Sequence, residues 1–169
     1  MAQSGAKGRG PKALRGAEWE ETQVARFFGR YEHSLDSKGR VILPVRFRGD
    51  LGITTLVTKY SDRCLALWTD DEFEKKLAEM ELLQQVGRDE RNMARVWAQG
   101  AAEVEIDRQG RMAIPVFLRD YARLDGEVLI NGAINRVELW NPSVWEERIA
   151  PSERRLTEED DPQQTIQQD

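Results

Sequence analysis

Apolar side chains alternate with polar ones over Tyr31, His33 and Leu35, the signature of a strand with one face toward a core. A turn, Asp36-Ser37-Lys38-Gly39-Arg40, interrupts the alternation. A short apolar run, Val41-Ile42-Leu43, resumes it and stops at Pro44, which has no amide to give to a ladder. Pro44 also suits the first turn of a helix, so Val45–Asp50 is expected to be helical. Two further apolar runs, Thr55–Lys59 and Leu65–Trp68, predict strands. Thr69 and Asp70 form a helix cap with acids in the first turn after it. Phe73, Leu77 and Met80 then mark one face of that helix. Gly87 breaks the pattern, and Asp89 to Trp97 resumes it.

The same order of signals then returns. Ala102, Val104 and Ile106 alternate with Glu103 and Glu105, and the turn Asp107-Arg108-Gln109-Gly110-Arg111 follows. Met112-Ala113-Ile114 ends at Pro115. Val116–Ala122 is expected to be helical, and Glu127–Asn131 and Arg136–Trp140 are expected strands. Residues 36–48 align with residues 107–119, and six of the thirteen positions are identical: the Asp, the Gly, the first Arg, the Pro, the Val and the last Arg. A second block shifts by one residue and aligns Cys64-Leu-Ala-Leu-Trp68 with Arg136-Val-Glu-Leu-Trp140. Two blocks in one order identify an internal duplication. The predicted organisation is a disordered basic extension (1–25), a first unit (26–70), connecting helices (71–97), a second unit (98–150) and an acidic disordered tail (151–169).

Charge is polarised along the chain. The whole carries −5, yet residues 26–48 hold six cations against two anions, a net +4. Residues 146–169 hold eight acids and three Arg. Residues 103–123 balance four acids with four Arg, so the first half is expected to attract phosphate more strongly than the second. No apolar stretch approaches the roughly 20 residues a membrane helix requires, and the N-terminus has no apolar signal core. One Cys and one His leave neither an intramolecular disulfide, nor a Cys-rich metal site, nor a nucleophilic triad. These features predict a cytoplasmic protein without cofactor, metal, membrane partner or small-molecule substrate, and not an enzyme. His33, Trp68 and Trp140 read as packing residues.

The repeated turn is the candidate site. Asp36, Gly39, Asp107 and Gly110 are shaping residues: Asp accepts from backbone amides two residues on, and Gly takes positive φ at no steric cost. Shape alone does not require the Arg after each Gly, nor the cations Lys38 and Arg108 at the tips. Cations on a turn tip suit phosphate, and Arg can read guanine in a groove that admits a two-stranded ribbon. Lys38, Arg40, Arg108 and Arg111 are therefore the candidate DNA-binding residues.

The paired turns, the Pro after each second strand and the Leu-Trp strand ends resemble the MraZ family of bacterial regulators, over about Phe28 to Arg148. The resemblance implies an α+β fold: two tandem swapped-hairpin, AbrB-like units in a pseudo-symmetric β-barrel with flanking helices. It implies a transcriptional regulator, typically a repressor of the division and cell wall gene cluster. Such a protein binds short direct repeats upstream of its own gene as a ring-shaped homo-oligomer. It places the DNA-contacting arginines at Arg40 and Arg111. The basic position beside them falls on Lys38 in the first copy but on Gln109 in the second, a departure from the pattern. Family chains usually begin near Phe27-Phe28-Gly29. The preceding segment, with Lys7, Arg9, Lys12 and Arg15, is either a basic arm adding non-specific DNA affinity or the product of a misassigned start. The other function class is a self-assembling scaffold that binds protein partners through its acidic tail and no DNA. A third reading, an antitoxin-type swapped-hairpin protein, fits less well because such chains usually carry one copy of the motif.

Overall fold

The computed structural model describes residues 24–159, and residues 1–23 of the basic extension and 160–169 of the acidic tail lie outside them. The first half contains β1 (Arg30–Ser34), β2 (Arg40–Ile42), α1 (Val45–Leu51), β3 (Thr54–Lys59) and β4 (Leu65–Trp68). A helical hairpin follows, α2 (Asp70–Leu83) and α3 (Arg88–Gln99). The second half repeats the order: β5 (Ala101–Glu105), β6 (Arg111–Ala113), α4 (Val116–Ala122), β7 (Glu127–Gly132) and β8 (Val137–Trp140). Helices α5 (Pro142–Arg148) and α6 (Ala150–Glu159) close the described chain.

Strands do not pair within their own halves alone. The large sheet is antiparallel with order β1-β7-β8-β4-β3-β5, and β2 pairs with β6 in a separate two-stranded ribbon. Thus β1 of the first half lies on β7 of the second, and β5 of the second lies on β3 of the first. The registers obey a pseudo-twofold axis. At the sheet centre Ala66 faces Glu138, and in the ribbon Val41 faces Met112. Each of these pairs joins residues that the sequence repeat aligns, so the axis passes through both.

The expected barrel does not form. β1 and β5 are the free edges of an open six-stranded sheet. The reason lies in β2 and β6, which are three residues long and are stopped by Pro44 and Pro115. They pair with each other, and among the described residues only one bridge, Ile106 with Met112, ties the ribbon to a sheet edge. The tail also departs from expectation, because residues 151–159 lie in a helix where disorder was predicted. Pro151 tolerates a first-turn position and Glu153 favours the positive end of the helix dipole.

The core lies between the sheet and the ribbon. Leu65, Leu67, Val137, Leu139, Val57, Val128 and Ile130 project from the sheet. Val41, Leu43, Met112 and Ile114 project from the ribbon, and Phe47 and Leu118 from α1 and α4. A smaller cluster beneath α5 joins Cys64, Leu129, Trp140 and Val144 on the other sheet face. All four residues of β4 and of β8 are buried, as strands covered on both faces must be. Trp68 and Trp140 are part of this packing, and their indole N–H groups donate to Thr58 Oγ1 and Glu138 Oε2, both at 2.9 Å.

Candidate nucleic-acid interface

The hydrogen bonds of the two turns match in length to within 0.1 Å. In the first, Asp36 Oδ1 accepts from the amides of Lys38 and Arg40, both at 2.9 Å. Asp36 Oδ2 accepts from Arg40 Nε at 2.7 Å. In the second, Asp107 Oδ1 accepts from the amides of Gln109 and Arg111 at 2.9 Å, and Oδ2 from Arg111 Nε at 2.7 Å. The amides of Gly39 and Gly110 close each turn onto the carbonyls of Asp36 and Asp107. Gly39 and Gly110 take φ of 71° and 79°, a region that costs an L side chain about 1–2 kcal/mol.

This network sets the charge state of the aspartates. Asp36 and Asp107 both titrate below their ordinary value of 3.8. The first cause is the amide of Arg40 or Arg111, and the guanidinium of the same arginine adds to it. Each arginine therefore shares its charge with a carboxylate, at N–O distances of 2.7 Å.

The fold brings the two turns together. The amide of Leu43 donates to the carbonyl of Gly110 at 2.9 Å, and the amide of Ile114 donates to that of Gly39 at 3.0 Å. In the ribbon Arg40 faces Ala113 and Ile42 faces Arg111. Val41 and Met112 point into the core, so Arg40, Ile42, Arg111 and Ala113 share the outer face. Arg40 and Arg111 are diagonal neighbours there, roughly 7–8 Å apart by general sheet geometry. Lys38 and Arg108 are exposed at the two tips. Among the described residues neither engages a side-chain partner.

Arg48 and Arg119 were not among the expected site residues, yet they join the turns. Arg48 in α1 donates from Nε to the carbonyl of Leu43 at 2.9 Å, and Arg119 in α4 donates to that of Ile114 at 2.9 Å. Each then crosses to the opposite half. A Cβ placed on Gly110 would overlap the Arg48 guanidinium, and one on Gly39 would lie 2.5 Å from Arg119 Cζ. Their signal was present in the sequence: they are the last identity of the aligned thirteen-residue block.

Other reactive groups lie elsewhere. His33 is half-buried on the edge strand β1, opposite Val128. Cys64 is fully buried, and burial pushes its thiol well above the ordinary range. Among the described residues no three His, Cys, Asp or Glu side chains come close enough to hold a metal ion. Among the same residues no helix is long and apolar enough to cross a membrane.

A family model described as "MraZ protein, putative antitoxin-like" matches twice, over residues 27–96 and 98–167, so that each match contains one turn. A protein named transcriptional regulator MraZ from Thermoanaerobacter pseudethanolicus is 43% identical over 119 residues, covering 70% of this chain and 83% of that one. One of the same name from Acetivibrio thermocellus is 45% identical over 120 residues, covering 71% and 84%. Another from Moorella thermoacetica is 44% identical over 124 residues, covering 72% and 85%.

Proposed function

This chain belongs to the MraZ family, and we propose that it regulates transcription by binding duplex DNA through the β2–β6 ribbon and its two turns. The observation that carries this reading is the shared outer face of the ribbon. It holds Arg40 and Arg111 on either side of the pseudo-twofold axis, with Lys38 and Arg108 at the tips. A major groove admits a two-stranded ribbon, and arginine matches the O6/N7 edge of guanine. The contact to Asp uses only the Nε–H of each arginine, one of five donors, and holds the side chain in a fixed direction. The Nη edge then serves a base or a phosphate.

The finer features of this reading follow the same chemistry. The exchange of β1 and β5 between halves is the swapped-hairpin arrangement. The targets are short direct repeats upstream of the protein's own gene, within the division and cell wall cluster, and binding represses them. Copies assemble in a ring, so that identical ribbons meet successive repeats and avidity offsets weak single contacts. Exposed Leu82, Val86, Met93 and Val96 on the α2–α3 hairpin supply apolar area for contact between copies. The first half carries more of the phosphate attraction. The tips hold one cation each, but α1 adds Arg46 where α4 has Phe117.

A gel shift against DNA upstream of the gene tests the reading. Binding should weaken steeply with salt. Arg40→Ala and Arg111→Ala should each cost about 1–3 kcal/mol, with the larger loss at Arg40. Undiminished binding by the double variant would refute the role of the turns. Light scattering tests assembly separately, and a monomer at working concentration would contradict the ring.

A further inference from the structure

We propose that Arg48 and Arg119 form a paired phosphate-holding site that the two halves build jointly, and that this site anchors the DNA backbone. The proposal deepens the DNA-binding reading and rests on it. Charge separates these residues from Arg40 and Arg111. Each turn arginine is 2.7 Å from a carboxylate, so each turn pair is close to neutral. Among the described residues Arg48 and Arg119 form no ion pair with a carboxylate within 4 Å.

Placement separates them from the other free cations of this region. Lys38 and Arg108 are exposed on turn tips, whereas Arg48 and Arg119 are half-buried. Their Nε atoms are fixed on the carbonyls of Leu43 and Ile114. Those same two residues donate their amides to the opposite turns, at Gly110 and Gly39. One residue thus couples each arginine to the turn it covers. The guanidinium lies against bare glycine backbone, where a side chain would displace it. A guanidinium held on one N–H keeps its Nη pair for an oxyanion, and little ordering entropy remains to be lost on binding. The pseudo-twofold axis puts one such cation at each end of the ribbon, an arrangement suited to two phosphates flanking a groove. The repeat therefore keeps glycine at residues 39 and 110 for two reasons: the turn needs positive φ, and the arginine from the other half needs the space.

The test uses the full-length protein with Arg48→Gln, Arg119→Gln, their combination, and Arg48→Lys. Affinity for a duplex from upstream of the gene is measured across a salt series. Each Gln variant should bind about tenfold or more weakly at low salt. Its plot of log affinity against log salt should be less steep by about one for each lost contact per bound subunit. Arg48→Lys retains charge and should restore the slope without restoring full affinity, and Arg119→Gln carries the test if Arg48→Gln does not fold by circular dichroism. Weakened binding of the Gln variants at an unchanged slope would overturn the proposal and leave only a scaffolding contact. Unchanged affinity and slope would overturn it outright. A second arm, without DNA, compares the rise in Tm caused by inorganic phosphate. A rise larger in the wild type than in the double Gln variant supports the site even if no duplex binds, in which case the DNA reading fails alone. Equal rises overturn the site.

Discussion

Asp36 and Asp107 each accept three hydrogen bonds from their own turn, two from backbone amides and one from an arginine. Their folded pKa values lie below the ordinary 3.8. For a depressed carboxylate, the stabilisation is complete above the unfolded value and is lost as pH falls through the folded one. The turns should therefore be insensitive to pH between about 7 and 5. The carboxyl resonances of both residues should titrate with midpoints below 3.8, and the amide resonances of Lys38, Arg40, Gln109 and Arg111 should move with them. Midpoints at or above 3.8 in a carbon-detected titration would contradict the network. Much of this site was legible at the scale of single residues, because Asp, Gly and Arg at this spacing act within five positions of chain. Arg48 and Arg119 were visible as repeated identities, but their partners are glycines of the other half. No local pattern states which distant backbone a long side chain will cover.

Elements were legible for the same reason of locality. The alternation over Ala102, Val104 and Ile106, the prolines that stop β2 and β6, and the Thr69 cap all act over a few residues. Helix α6 was not, since its polar composition reads equally as solvated coil, and Glu153 finds Arg30 only in the folded chain, at 3.9 Å. The repeat aligns two helix caps that differ in a measurable way. Thr69 accepts the amide of Glu72 at 3.3 Å. Its equivalent, Asn141, accepts from Ser143 at 2.8 Å and also donates from Nδ2 to the carbonyl of Arg123 at 2.7 Å. Arg123 ends α4 in the left-handed region at φ 53°, so Asn141 ties two helix ends together. Thr69→Ala should cost about 1 kcal/mol. Asn141→Ala should cost roughly 0.5–1.5 kcal/mol more, the worth of a second hydrogen bond. Urea denaturation of the two variants measures the difference, and equal losses would deny the second role.

At the scale of the whole molecule, the repeat predicted two units but not how they pair. Each unit's alternation specifies a face to bury, and it is silent on whose strand will cover it. The structure covers β1 with β7 and β5 with β3, and it builds the ribbon from one strand of each half. A half taken alone would keep only one sheet pair, β3–β4 or β7–β8, and a lone hairpin is marginal in water. Val41, Leu43 and Phe47 would lose the second-half layer that buries them. Fragments 24–97 and 98–159, each expressed alone, should therefore show no folded monomer. Pseudo-symmetry leaves one escape. Because β1–β7 and β5–β3 are equivalent pairings, two copies of one fragment can exchange strands as the two halves do. Any folded population of a fragment should then be dimeric and should melt at a temperature that rises with concentration. Mixing the fragments should restore a 1:1 complex with the amide spectrum of the intact chain. Sedimentation with circular dichroism decides the matter: a fragment that is monomeric and cooperatively folded would mean that the halves are separable domains, and the joint construction of the Arg48 and Arg119 site would lose its structural basis.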